Sequence, residues 1–440
     1  MRAAGTAAAQ DLRRPGYRAI LVLSCNSKVG WIIGRAGRDP QPSPNPGRRR
    51  PAAPRNCAPG THTLPETPRQ ADRAPTTTQT IPITRPSTVG PATHQRSASG
   101  PAPPGYAAAI PARPLTDPWT LGGLEIRNRL VLAPLAGIGN WFVRLQAKRF
   151  GAGLVVSEMV SSFGLAHGNP RTIREFLRIH PDEHPVSIQL FGHDPAVMRE
   201  AAAMAAAAGA DLIDLNMGCP VRKVCKTGAG AALLADPRRA VAIARAAGDG
   251  SGLPVTVKLR PGREPGDRDG VDLARRLVDE ADVAGVAFHP RHASQQHTGR
   301  PDYALARKLA ESLPVPVIVS GGLSTDQEVL SAFEDSGAEA VMLARGSLGN
   351  PWRFARLLGA YTGRPARAEV AEELEWVIVC AEDHLGAERA GRYLRKFYPW
   401  YADSMGLTRR ARLPLITAPT TLHARAALSE IARAERVLAA

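Results

Sequence analysis

Residues 194–220 read DPAVMREAAAMAAAAGADLIDLNMGCP, and this stretch decides the fold. Asp194 stands as an N-cap before an Ala-rich segment of helical period, 195–208, which Gly209 stops. A short apolar run, 212–215, follows and breaks into a polar turn at Asn216. The same alternation recurs on both sides. Apolar, β-branched runs lie at 130–135, 154–157, 186–191, 255–259, 286–288, 317–319 and 340–343. Helix-like segments at 237–247, 271–281, 303–312 and 327–336 separate several of them, with Asp236, Asp302 and Asp326 as further caps and Gly337 as a further stop. Runs that are continuously apolar mark parallel strands covered by helices. Eight such units across residues 114–362 fit the roughly 250 residues of a (β/α)8 TIM barrel. A doubly wound open sheet is the alternative, but no GxGxxG turn follows the first run.

The flanks differ from this centre. Residues 1–113 hold 16 Lys/Arg against 4 Asp/Glu and are rich in Pro, so most of the formal charge of +16 belongs there. Such a segment has too little apolar patterning to offset ordering entropy and is expected to be disordered. A solvated tail, or a start read too early, explains it without assigning it a function. Residues 363–440 lose the strand pattern and read as a small all-helical domain, with helices at 370–384, 390–405 (bent at Pro399) and 421–438. No apolar run reaches the roughly 18 residues of a membrane span. The five Cys, at 25, 57, 219, 225 and 380, form no CxxC pair and no zinc-like spacing, so a reducing cytoplasm and no metal are expected.

In a barrel of this kind the chemistry belongs at the carboxyl ends of the strands. Those ends carry Pro134-Leu135-Ala136, Gln189, Asn216 with Cys219, Lys258, His289 with Arg291, Gly321-Gly322 and Arg345-Gly346. Each alone has a plain reading: glycine turns end strands, and an inward Lys258 can pair with a carboxylate such as Glu158. Together they point to a reaction site. Gly321, Gly322 and Gly346 let backbone N–H groups approach a phosphate, with Arg345 as a charged donor. Lys258 suits an anionic ring or carbonyl, and Gln189 and Asn216 suit the edge of a planar heterocycle. A thiol of ordinary pKa is mostly protonated at pH 7, so Cys219 reads as a proton donor. Cys225 and Cys380 read as bystanders.

Taken together, APLAG (133–137), SEMVSS (157–162), QLFG (189–192), DLNMGCP (214–220), KVCKTGAGAALL (223–234), VTVKLRPG (255–262), HPR (289–291), ARGSLGNPWRF (344–354) and YLRKF (393–397) resemble the bacterial tRNA-dihydrouridine synthases. The resemblance spans about residues 114–405. It implies FMN as cofactor, NADPH as reductant and tRNA as substrate. It implies hydride transfer from flavin N5 to C6 of a uracil, with Cys219 protonating C5. Pro134, Leu135, Ala136, Gln189, Lys258, His289, Gly321, Gly322, Arg345 and Gly346 would hold the flavin, and Asn216 and Arg291 the base. The helical domain would bind tRNA through Arg392, Arg395 and Lys396, which recur with Arg389 at helical spacing, interleaved with Tyr393, Phe397, Trp400 and Tyr401. A solvated basic face over an aromatic core face is the plain reading of that pattern. A monomer is expected.

Three departures bear on specificity. Ile138-Gly139-Asn140 replaces the family's usual x-Thr-Asp, Ser320-Gly321-Gly322 replaces Asn-Gly-Asp, and Phe397 stands where a His is common. An FMN barrel acting on a free pyrimidine, like the dihydroorotate dehydrogenases, and a non-catalytic tRNA-binding factor are the competing readings.

Overall fold

Burial on both faces of each central strand shapes the molecule. In this computed structural model, residues 17–24, 28–35 and 113–439 are described. Eight parallel strands form the centre: β1 Leu130–Leu132, β2 Leu154–Val156, β3 Val186–Phe191, β4 Leu212–Asn216, β5 Val255–Leu259, β6 Gly285–Phe288, β7 Val317–Ser320 and β8 Ala340–Leu343. Each pairs with its sequence neighbours, and β8 pairs with β1, so the sheet closes. The fold is the expected TIM barrel, its ring of strands complete.

Two apolar layers hold it. Val131, Ala133, Leu154, Val156, Leu212, Ala287, Ile318, Ala340 and Met342 fill the inside. Leu130, Val155, Ile188, Leu215, Val257, Val286 and Val319 face outward under the helices. Burying each Val, Leu, Ile or Met among them contributes about 1.5–3 kcal/mol. A hairpin of Trp119–Leu121 and Leu124–Ile126 closes the amino end of the barrel: Leu121 and Ile126 join the inner layer, and Trp119 Nε1 donates to Asn128 O at 2.9 Å, just ahead of β1. The carboxyl end is left for the site.

The helices start as the sequence indicates at Asp194, Asp236 and Asp302, whose side chains accept from the first turn. Asp326 is a correction. Thr325 is the cap, in a reciprocal box with Glu328, which frees Asp326 to pair with Arg353 and Arg356 at 2.9 Å each. Past the barrel, the expected bent helix 390–405 is instead two, Ala387–Leu394 and Tyr398–Ser404, because Pro399 fits only the first turn of the second. Arg409–Ile416 is a helix that the sequence reading treats as loop, since Pro414 masks its period. Arg367–Leu385 and Thr421–Ala439 complete the bundle, which shares one continuous core with the barrel's outer layer. Within residues 1–112, Tyr17–Ser24 and Lys28–Arg35 pair as an antiparallel ribbon; the disorder expected for the rest lies outside the described residues.

Candidate active site

Strand register brings the polar side chains together. Gln189 pairs with Asp214, Thr256 with Asp214 and Lys258 with Asn216 across β3, β4 and β5. Side chains two apart on a strand share a face, so Asp214 and Asn216, and likewise Thr256 and Lys258, turn inward together. A continuous hydrogen-bonded chain results. Thr256 Oγ1 donates to Asp214 Oδ1 at 2.6 Å, and Gln189 Nε2 donates to Asp214 Oδ2 at 2.6 Å. Asn216 Nδ2 donates to Gln189 Oε1 at 3.0 Å, and Asn216 Oδ1 accepts from Cys219 N at 2.9 Å and Gly218 N at 3.3 Å.

The loop carrying Cys219 is fixed from its other side as well. Cys219 O accepts from Ala231 N at 3.0 Å and from Cys225 Sγ at 3.3 Å. Gly230, at φ +63°, passes so close that a Cβ there would lie 2.7 Å from Cys219 O. Cys225, expected to be a bystander, is therefore part of this support. Cys219 itself is half-buried beside Phe191, Val224 and Ala229. Burial raises its thiol pKa, only partly offset by the Val221 N–H and by Arg260 and Lys258, so the sulfur carries its proton at neutral pH.

Across the barrel mouth, Lys258 Nζ donates to Ser320 Oγ at 3.3 Å. Burial lowers the Lys258 pKa to about 8, with Arg260 adding to the shift and Asp214 opposing it. Burial also raises Asp214 to about 6, against the Thr256 and Gln189 hydrogen bonds, so both are largely charged at pH 7. His289 is pushed well down by burial and by the Lys258, Arg260 and Arg291 charges, which leaves a neutral imidazole. Arg260, outside the expected site, holds the loop after β6 by donating to Arg291 O, His292 O and Gln296 O at 3.0–3.1 Å. Arg291 in turn donates to Gly299 O at 2.8 Å and lies 3.3 Å from His289 Nε2.

Gly321, at φ +94°, leaves room for that imidazole: a Cβ would stand 2.3 Å from His289 Nε2. Arg345 is exposed at the end of β8. Arg353 Nη1 is buried without a hydrogen-bond partner and lies 2.3 Å from where a Cβ of Gly346 would be. An open guanidinium at Arg345 and an unspent buried N–H on Arg353 suit an anionic group at the β7 and β8 turns.

The first strand's loop is tied to the helical bundle. Pro134, Leu135 and Ala136 lead into Gly137, whose N–H donates to Glu158 Oε2 at 2.6 Å and whose carbonyl accepts from Lys396 Nζ. Glu158, which the sequence offers as a partner for Lys258, instead faces this loop. Lys396 sits 3.9 Å from the Tyr393 ring centroid, turned toward the barrel. Arg392 pairs with Glu388 at 2.5 Å on the exposed side, and Arg395 donates to Pro419 O at 3.4 Å. The three do not form one basic surface: Arg392 and Arg395 are exposed, whereas Lys396 is turned inward onto Gly137. Phe397 and Tyr401 are core residues, not a stacking surface.

Asp214 and Thr256 are the site residues the sequence reading passes over. A charged residue inside an apolar run, as in Leu-Ile-Asp-Leu, was the available signal for Asp214. Among the described residues, no cluster of three or more His, Cys, Asp or Glu could hold a metal ion, and no helix is long and apolar enough to cross a membrane.

With the amino end plugged and the polar chain opening at the carboxyl end, the molecule is built as a (β/α)8-barrel enzyme, a class whose sites lie at the strand ends. Residues 131–431 match the dihydrouridine synthase family, and the chain belongs to it. It is accordingly an oxidoreductase acting on a CH–CH bond. It is 35% identical over 298 residues to tRNA-dihydrouridine synthase B of Pseudomonas aeruginosa, covering 66% of this chain and 89% of that one. It is 37% identical over 281 residues to a probable tRNA-dihydrouridine synthase of Rhizobium leguminosarum, covering 64% and 87%.

Proposed function

We propose that this chain reduces the C5–C6 bond of a uracil in tRNA, using FMN reduced by NADPH, with Cys219 as the proton donor to C5. The observation that carries the reading is the Cys219 loop, anchored by Asn216 through two backbone N–H bonds and bearing a protonated thiol at the barrel mouth. The relatives' names supply the tRNA.

The residues present fit FMN. Its phosphate would lie at Gly321, Gly322, Arg345 and Gly346, where Arg353 has an unspent buried donor. Its ring would lie along Pro134, Leu135 and Ala136, near Gln189, Lys258 and His289. When bound, FMN supplies the hydride that reaches C6. Lys258 supplies positive charge for the ring carbonyls, and Gln189 keeps one amide N–H beyond the one given to Asp214. Asn216 and Arg291 orient the base, which must leave its stack to reach the mouth. Residues 363–440, with Arg392, Arg395 and Lys396, form the tRNA-binding part, and the enzyme acts as a cytoplasmic monomer.

The test is genetic and spectroscopic. Purified protein should show flavin absorbance, and tRNA from a deletion strain should lack dihydrouridine at one or more positions. Cys219→Ala should bind flavin and accept electrons from NADPH yet fail to restore the base. A full complement of dihydrouridine without the gene would remove the assignment.

A further inference from the structure

Asp214 is an acid inside a strand of apolar neighbours, only 2% exposed, one residue pair below the barrel mouth. A carboxylate has acceptors only, so the geometry around it is directional. Gln189 must turn Nε2 toward Asp214, which leaves Oε1 facing β4. Asn216 must answer Oε1 with Nδ2, which leaves its own Oδ1 facing the backbone N–H groups of Gly218 and Cys219. Thr256 closes the other oxygen of the carboxylate and keeps it from rotating. An amide that lost its reference acceptor could rotate by half a turn at little cost. The rotation would pass along the chain and present Asn216 Nδ2 to the Cys219 N–H, donor against donor.

We propose that Asp214 is a positioning residue that sets the polarity of the Gln189–Asn216 amide pair and so holds the Cys219 loop in place. The inference rests on the reading of Cys219 as proton donor, but the loop's geometry can be read without any turnover.

The test exchanges the two ends of the first link. In Gln189→Glu, two carboxylates oppose each other and the chain breaks. In the double variant Asp214→Asn with Gln189→Glu, the amide introduced on β4 and Asn216 Nδ2 both donate to the carboxylate introduced on β3. Thr256 then donates to the oxygen of the introduced amide, and the chain re-forms. Alkylation of Cys219 by iodoacetamide, followed by peptide mass spectrometry on flavin-free protein, should quicken about tenfold in Gln189→Glu and return to within about twofold of the parent in the double variant. Dihydrouridine formation should fall by about 30-fold or more and recover in parallel. Asp214→Leu, which removes the acceptor outright, should behave like Gln189→Glu and serves where that variant does not fold. A double variant no better than Gln189→Glu alone, or unchanged alkylation in folded Asp214→Leu, overturns the proposal. Restored alkylation behaviour with no dihydrouridine formed by any variant or by the parent would instead sink the functional reading and leave the positioning role standing.

Discussion

Tyr393, in the helical bundle, donates its hydroxyl to the carbonyl of Ile138, in the loop after β1, at 2.8 Å. The Tyr393 hydroxyl oxygen in turn accepts from Asn140 Nδ2 at 2.7 Å, and Lys396 lies over the Tyr393 ring while reaching Gly137 O. The bundle therefore grips the loop that follows Pro134, Leu135 and Ala136. It does so at Ile138 and Asn140, where the sequence departs from the family's usual pattern. A basic appendage meant only to collect phosphate would have no need of a half-buried tyrosine here.

Tyr393→Phe keeps the ring and removes both bonds, and should cost about 1–2 kcal/mol of stability. Dihydrouridine formation at subsaturating tRNA should fall about tenfold, since a loop misplaced at the mouth misplaces the ring and the base. Asn140→Ala should act similarly, and the pair should be no worse than either alone. Additive losses in kcat/KM across that double-mutant cycle would show that the two side chains do not act as one unit.

Gly321→Ala puts a Cβ where His289 Nε2 now lies and forces a side chain into φ +94°. The strain should cost about 1–3 kcal/mol, and displacement of His289 should lower flavin retention. Thermal unfolding with and without added FMN checks both, and an unaltered FMN-induced rise in Tm would contradict the placement of the cofactor.

Burial raises the Glu158 carboxyl from the ordinary 4.5 to about 7, against the Gly137 N–H and the Lys396 charge. The folded state thus holds this proton more tightly than the unfolded state does. Its contribution to stability is complete below about 4.5 and is lost as pH rises through 7, at no more than about 1.4 kcal/mol per pH unit. Glu158→Gln keeps an acceptor for Gly137 N but does not titrate. Urea unfolding between pH 5 and 8 should show a flatter profile for the variant than for the parent, and identical slopes would dismiss Glu158 as the source.

Lys258, held near 8 by burial and Arg260, should lose its charge within the accessible range. FMN affinity, followed by fluorescence quenching, is expected to weaken above pH 8 in the parent. In Lys258→Met it should be about tenfold weaker at pH 7 and show no such inflection. An inflection that survives in Lys258→Met belongs to another group.

Local chemistry was enough to read the barrel. The runs at 130, 154, 286, 317 and 340 are apolar on both faces, as strands of a covered parallel sheet are, those at 186, 212 and 255 keep one apolar face, and Asp194, Asp236 and Asp302 mark helix starts by their own side-chain bonds. Gln189, Asn216, Cys219, Lys258 and His289 were legible as candidate site residues because each lies near the carboxyl end of a strand or just past it. The sequence could not reveal partners, because partnership depends on register. Asp214 meets Gln189 and Thr256 only once β3, β4 and β5 are laid side by side, and Glu158 faces Gly137 and Lys396 instead of Lys258 only once the bundle docks. Spacing along one element places Lys396 beside Arg392, yet the helix stops at Leu394, and the closure of the barrel against the bundle turns that ammonium inward. Pattern within a segment follows from short-range sterics and solvation, whereas the pairing of polar groups is settled by which segments burial forces into contact.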